Sequence, residues 1–483
     1  MLRSISSHQD YCSFLDSQFK KLHYSELRRF KKDKALKSAA WRLRKLNLDP
    51  AADIFLSHYS QVSGRPARDP AVTFRSFVLM LRLKFTSIEL WCNRLKSDTI
   101  LQILIGSLDP PGLACHYDFI NRFMHDDPHR SDLYPPNKNS RQNKKLKKDE
   151  KWMNFSDEDT RSLKDKYWDG AASDRDRISY SMERIFQCIA VQPSIDLGLI
   201  NEKGVFSGDG SALHIHSNPY GNKVPNPADE QHSHRYTAPD ADIGWDSDLG
   251  VWYLGYSLYN ISYHNQERAI DLPVYLTLQY ASTHDALTTI SSTARFLDLN
   301  PSIKPEYMCF DSAMDSYHIY EYLRHLHIIP IIDWNKRRSG SKNPYAAYEG
   351  INENGVPVCM AGYEMIRDGY DKVKMATKYR CPLKMGKVTE CPCKCDCSPS
   401  PYGRVIKTYD KTNLKLFGPV PYRSEQWKKI YKNRTCTERI NNRILNDYGL
   451  QSLRIQNRSK NFFFMIIAGI NIHLDAWSKC SKS

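Results

Sequence analysis

The sequence predicts an α/β protein: a mixed sheet with flanking helices, preceded by a helical domain and interrupted by an inserted, cysteine-rich subdomain. Three observations predict it. Before residue 130, apolar residues recur at three- and four-residue spacing, as they do on one face of a helix. From residue 204 onward, short runs of β-branched and aromatic residues alternate with helical patterns. Five of the 13 cysteines crowd into 381–397, within a Gly- and Pro-containing stretch that fits neither pattern.

With 483 residues the chain is long enough for two or three domains, each with its own core. Residues 1–130 read as the helical domain. Its first 50 residues are basic and helix-forming, with Arg28-Arg29-Phe30-Lys31-Lys32 as one cluster. Phe74, Phe77, Val78, Leu81 and Phe85 then mark one helix face, Asp98 caps a helix ending at Gly106, and Asp109-Pro-Pro-Gly112 makes a turn before a helix from His116. Residues 131–200 read as a basic linker and connecting helix. Seven Lys or Arg fall between Lys138 and Lys151, the composition of a mobile linker or of an arm that tracks DNA.

Residues 201–334 form the first part of the core, with strands at 204–209, 251–262, 272–280, 306–311 and 328–332 and helices at 286–299 and 315–327. Residues 335–423 are the insertion. Residues 424–483 complete the core with a helix over 424–448, closed by Gly449, and a buried helix around 462–470. Three successive strands, then helix, strand, helix, strand, is the order of an RNase H-like core.

Lysine and arginine exceed the acids by 15, which favours a polyanionic partner, nucleic acid first. A generally basic surface would account for the charge alone equally well. Residues 1–20 lack the apolar stretch of a secretory signal, and 462–470 falls far short of the roughly 20 residues a membrane span needs. The scattered cysteines then read as reduced thiols in a cytosolic protein.

The chemistry concentrates in Tyr431-x2-Arg434-x3-Glu438. At 100° per residue these three fall within about 60° of helical arc. One face thus presents a hydroxyl, a guanidinium fork and a carboxylate, a set suited to phosphate and metal. Asp209 and Asp311 end apolar runs far upstream, and three carboxylates that converge on folding suggest a metal-dependent phosphodiester site. Each has a plainer role open to it: Asp209 in a turn, Asp311 as a helix cap, Glu438 as a surface partner of Arg434. Asp333 also ends an apolar strand and rivals them. Asp240, Asp242, Asp246 and Asp248 read as solvated turn residues. His214-x-His216 and His232-x-His234 have the spacing of metal pairs but read as loop or DNA-contact residues, with zinc binding as the alternative, and Trp334 reads as a core residue or a stacking surface for a base. Cys381, Cys391, Cys393, Cys395 and Cys397 offer enough thiolates for a structural Zn²⁺, set against free thiols on an exposed hairpin.

In these residues the chain resembles the bacterial insertion-sequence DDE transposases. The likeness lies in Phe206-Ser-Gly-Asp209-Gly-Ser, in Cys309-Phe-Asp311-Ser-Ala-Met-Asp-Ser316, in the Tyr431-Arg434-Glu438 signature, and in the helical stretch from Phe74 to Phe123. The resemblance implies two Mg²⁺ (or Mn²⁺) ions held by Asp209, Asp311 and Glu438, which cut DNA at terminal inverted repeats and join the freed ends to target DNA. It implies DNA contacts from Tyr431, Arg434 and Arg439, with Lys336, Arg337 and Arg338 as further candidates. It also implies double-stranded DNA as the partner, a homodimer in the synaptic complex, and a bacterial cytoplasmic location on the nucleoid. One position departs: where the signature continues with a lysine, this chain has Leu445. That leaves two alternatives, a derivative that grips inverted repeats without cutting and a host nuclease of the same fold.

Overall fold

The computed structural model describes residues 2, 4–124, 180–223, 234–283, 285–335, 350–352, 354–393 and 397–480. The expected basic arm at 138–151 lies outside them, as do Lys336, Arg337, Arg338 and Cys395.

The central sheet is mixed. Strand β1 (Val205–His214) runs antiparallel to the long β3 (Val251–Asn265) and parallel to β5 (Tyr307–Phe310), which pairs in parallel with β6 (Ile329–Ile332). The far edge of β3 is shared: its first residues pair with β2 (Asp242–Asp246) and the rest with β4 (Ile270–Tyr280). Strand β1 is longer than the 204–209 predicted. Gly210, Ser211 and Ala212 hide its end from a propensity reading, but pairing with Tyr259, Leu258 and Ser257 carries it on to His214.

Strand β2 replaces what the sequence suggested was a solvated acidic loop. Asp240 and Asp242 are buried. Asp240 accepts hydrogen bonds from the Tyr256 hydroxyl at 2.9 Å and the Arg458 N–H at 2.7 Å, and Asp242 accepts from Ser282 at 2.6 Å. Carboxylates satisfied in this way can be buried where bare ones could not.

The N-terminal layer is helical: α1 (His8–Lys21), α2 (Tyr24–Lys32), α3 (Lys34–Lys45), α4 (Ala52–Ser57), α5 (Pro70–Arg82), α6 (Ile88–Ser97), α7 (Thr99–Ile105) and α8 (Leu113–Phe123). Asp69 caps α5 and Pro70 sits at its first position, where a missing N–H costs nothing. Asp98 caps α7, which ends at left-handed Gly106. Helix α8 opens at Leu113, one turn ahead of the predicted start. Among the described residues the next helices are α9 (Tyr180–Phe186) and α10 (Gln192–Asp196). The sheet carries α11 (Asp285–Leu299) and α12 (Tyr317–His325).

The predicted helix over 424–448 is present on continuous helical backbone, but its winding is uneven. It is α13 (Glu425–Tyr431), a tight turn at Lys432–Arg434, α14 (Thr435–Asn442) and a widened turn at Arg443–Asp447. Buried Asn433 supplies the cause: its side-chain amide donates back to the Ile430 carbonyl at 2.8 Å, which competes with the helical ladder.

Helix α15 (Arg458–Cys480) joins the layers. It is buried along almost its whole length, packed between α5 and β4. Asn471 donates to the Val78 carbonyl of α5 at 3.2 Å, and His473 donates to the Pro273 carbonyl of β4 at 2.8 Å. Among the described residues no helix is long and apolar enough to cross a membrane. The insertion carries its own antiparallel sheet, β7 (Ile366–Asp371), β8 (Ala376–Arg380) and β9 (Val405–Tyr409), with β8 central.

Candidate active site

Register places the acids. Parallel β1 and β5 set Ser207 opposite Cys309, where their pairing ends, so Asp209, midway along β1, and Asp311, just past the end of β5, stand in step two residues on. Strands β5 and β6 set Phe310 opposite Ile332, and Asp333 follows on the third strand. Chains diverge where parallel strands end, which leaves a crevice. Here it is a cleft of about 930 Å³ lined by Asp209, Asp311, Asp333, Tyr431, Arg434 and Glu438, among others.

Helix α14 brings Glu438. It lies across β1, β3 and β4, and Asn441 accepts a 2.6 Å hydrogen bond from Asn260, the residue paired with Asp209. Glu438 is half-exposed and bound to Arg434 at 2.7 Å, and the Arg434 guanidinium also lies 5.6 Å from the Tyr431 ring. Tyr431 in turn stacks on Trp427 at 4.4 Å.

The sequence reading missed a fourth carboxylate. Asp285 opens α11, lines the same cleft and lies against Gly210, where a Cβ would stand 3.0 Å from its Oδ1. Gly208 is tighter still: a Cβ there would meet the Tyr259 hydroxyl at 2.5 Å and the Phe310 ring at 2.6 Å. Gly208→Ala should therefore cost about 1–3 kcal/mol, read as a lowered Tm, because both neighbours belong to the packed sheet.

These acids repel one another in a partly dry place. Burial first, then Asp311, pushes the Asp209 carboxyl up to about 8; Arg434 opposes this, while Asp285 and Glu438 add to it. Burial and then Asp311 raise Asp285 to about 6. Burial also raises Asp311, against the 2.9 Å hydrogen bond it accepts from the Ala313 N–H in capping the next turn. Asp311 is thus both a cap and a wall of the cleft.

As they stand, no three His, Cys, Asp or Glu side chains among the described residues could hold a metal ion, and Glu438 is turned onto Arg434. The donor chemistry nonetheless fits a hard divalent cation: carboxylate oxygens, crowded enough that a cation would relieve their repulsion.

Other candidates fall elsewhere. Arg439 is turned onto Asp271, with Nε at 2.6 Å and Nη2 at 2.8 Å from its oxygens, and lines a separate hollow of about 730 Å³ on the far side of Glu438. Leu445 packs against the core. It lies within the widened turn at 443–447. Asp333 accepts hydrogen bonds from the Tyr422 hydroxyl and, at 3.0 Å, from the Trp334 N–H, and the Trp334 ring stacks on Tyr422 at 3.7 Å.

His214 alternates away from Asp209 along β1 and bonds Asp246 at 2.7 Å. His216 bonds the Gln451 carbonyl at 3.2 Å, and the side chains of His232 and His234 lie outside the described residues. Cys381 is buried beside β8. The Cys393 thiol is raised by burial and by Cys391, Cys397 and Cys359 beside it, so Cys359, absent from the predicted set, adjoins it.

No protein-family model matches the chain, and comparison with curated proteins gives no significant match.

Proposed function

We propose that this chain is a DNA strand-transfer enzyme of the DDE transposase kind, with an RNase H-like core, acting on double-stranded DNA at inverted-repeat ends and at a target. The observation that carries the reading is the cleft itself. Two aspartates stand in step on adjacent parallel strands, each two residues past their last paired position, and a helix crossing the sheet adds a glutamate with an arginine beside it.

Asp209, Asp311 and Glu438 would hold divalent cations, with Asp285 as a further carboxylate. Such ions, when bound, activate an attacking oxygen and stabilise the leaving one. The protein's own groups do the rest. Asp209 gives up the proton that burial and its neighbours hold on it. Arg434 offers a planar fork to a non-bridging phosphate oxygen, and the stack on Trp427 fixes Tyr431 to place its hydroxyl at the same backbone. Joining two DNA ends calls for two copies of the chain.

The test is metal-dependent cleavage of an end-bearing duplex by the purified protein. Asp311→Asn should abolish cleavage and leave DNA binding within about threefold, since it removes metal-binding charge and little surface. Cleavage that persists in this variant, or without divalent ions, would refute the assignment. A second reading, a derivative that binds ends without cutting, draws on one observation: Leu445, packed against the core, supplies no cation where the resembling signature has lysine. Specific binding without cleavage would favour it.

A further inference from the structure

Strands β2 and β3 close into a hairpin whose tip carries Trp245 and Trp252 directly opposite each other. The rings meet edge to face at 5.3 Å, yet the two residues are 53% and 71% exposed. An indole is among the largest apolar surfaces a protein can bury, and this pair is left in solvent. Both residues line the cleft that holds Asp209, Asp311 and Glu438.

The platform is braced. Asp246 accepts hydrogen bonds from the N–H groups of Asp248 at 3.0 Å and Leu249 at 3.1 Å, which closes the turn. Its carboxylate also holds His214 at 2.7 Å, and the His214 ring stacks on Tyr253 at 4.6 Å. The rings are therefore presented on paired backbone.

Charge narrows the occupant. Asp246 and Asp248 flank the indoles, so a phosphate would be repelled there, whereas the uncharged face of a base would not. We propose that Trp245 and Trp252 form a stacking platform for unpaired nucleobases of the strand whose backbone enters the carboxylate cleft. The inference rests on the DNA reading above and adds a substrate class: DNA ends with unpaired bases in preference to fully paired ones. Stacking of this kind tolerates any base, because each has a π face.

The experiment uses the full chain without divalent ions. It compares a blunt duplex with the same duplex carrying a single-stranded tail whose first unpaired base is 2-aminopurine. Binding is read by anisotropy and stacking by 2-aminopurine fluorescence. The tailed duplex should bind about tenfold more tightly, with quenched fluorescence. Trp252→Ala and Trp245→Ala should each erode that preference and leave blunt binding unchanged, while Trp252→Phe should keep most of it.

Equal affinity for both duplexes overturns the proposal, as does equal weakening of both by Trp252→Ala. A tail preference untouched by either alanine, with the protein's sedimentation changed, would assign the hairpin to contact with a second copy instead. Trp-dependent tail binding by a protein that never cleaves would leave the platform standing and remove the enzymatic reading.

Discussion

Asp209→Asn should make the metal-free protein more stable while destroying metal-dependent cleavage. The Asp209 carboxyl holds its proton up to about pH 8 in the fold, against an ordinary value of 3.8. Between those values the unfolded chain has lost a proton that the folded chain keeps. Stability therefore falls as pH rises from about 4 to 8 and is level above that. Asparagine cannot ionise and removes the penalty. The gain at neutral pH is on the order of 3 kcal/mol after allowing for solvent near the cleft, and it shrinks to nothing toward pH 4. Cleavage is lost because the amide brings no charge to a cation. Thermal melts at pH 5 and pH 8, paired with a cleavage assay, check both halves. An Asn variant no more stable at pH 8 than the parent would remove the electrostatic account of the cleft.

Acid should loosen the protein through two buried histidines. His116 and His473 sit in matching relays. In each, one ring nitrogen donates to a backbone carbonyl, Gly112 or Pro273, and the other accepts from a serine, Ser76 or Ser194, that itself accepts from a tryptophan N–H, Trp91 or Trp477. The neutral ring satisfies every partner. A second ring proton would meet a serine hydroxyl already donating to that nitrogen, and burial lowers both groups from 6.5 to about 4. The unfolded rings charge first, so stability is complete above about pH 6.5 and is lost as pH falls toward 4. The loss is about 3 kcal/mol for each ring. Urea midpoints at pH 7 and pH 4.5 measure it, and His473→Gln should flatten the dependence. An unchanged midpoint would refute it.

What could be read from the sequence follows from where local chemistry decides structure. The apolar strands around Tyr259, Tyr275, Cys309 and Ile331, the helix through Phe74 and Leu81, and the helix capped by Asp98 are dictated within a few residues and stand near their predicted positions. Strand β2 was not legible, because the burial of Asp242 and of Asp240 just before it is satisfied by Tyr256, Ser282 and Arg458, all distant in sequence. The tightened turn at 432–434 depends on a side chain turning back on its own helix, which periodicity does not register. Among the acids, Asp209 and Asp311 stood out because apolar runs end on them. Asp285 did not: its one local sign is a place at the start of a helix, where aspartate is common for capping alone.

The ion pair between Glu438 and Arg434 has a consequence for the order of events. In the proposed reading both partners are wanted elsewhere, the carboxylate by a cation and the guanidinium by a phosphate. Whatever draws one away liberates the other, so metal and DNA become heterotropic activators of each other's binding. Thermodynamic reciprocity makes the factor the same in both directions.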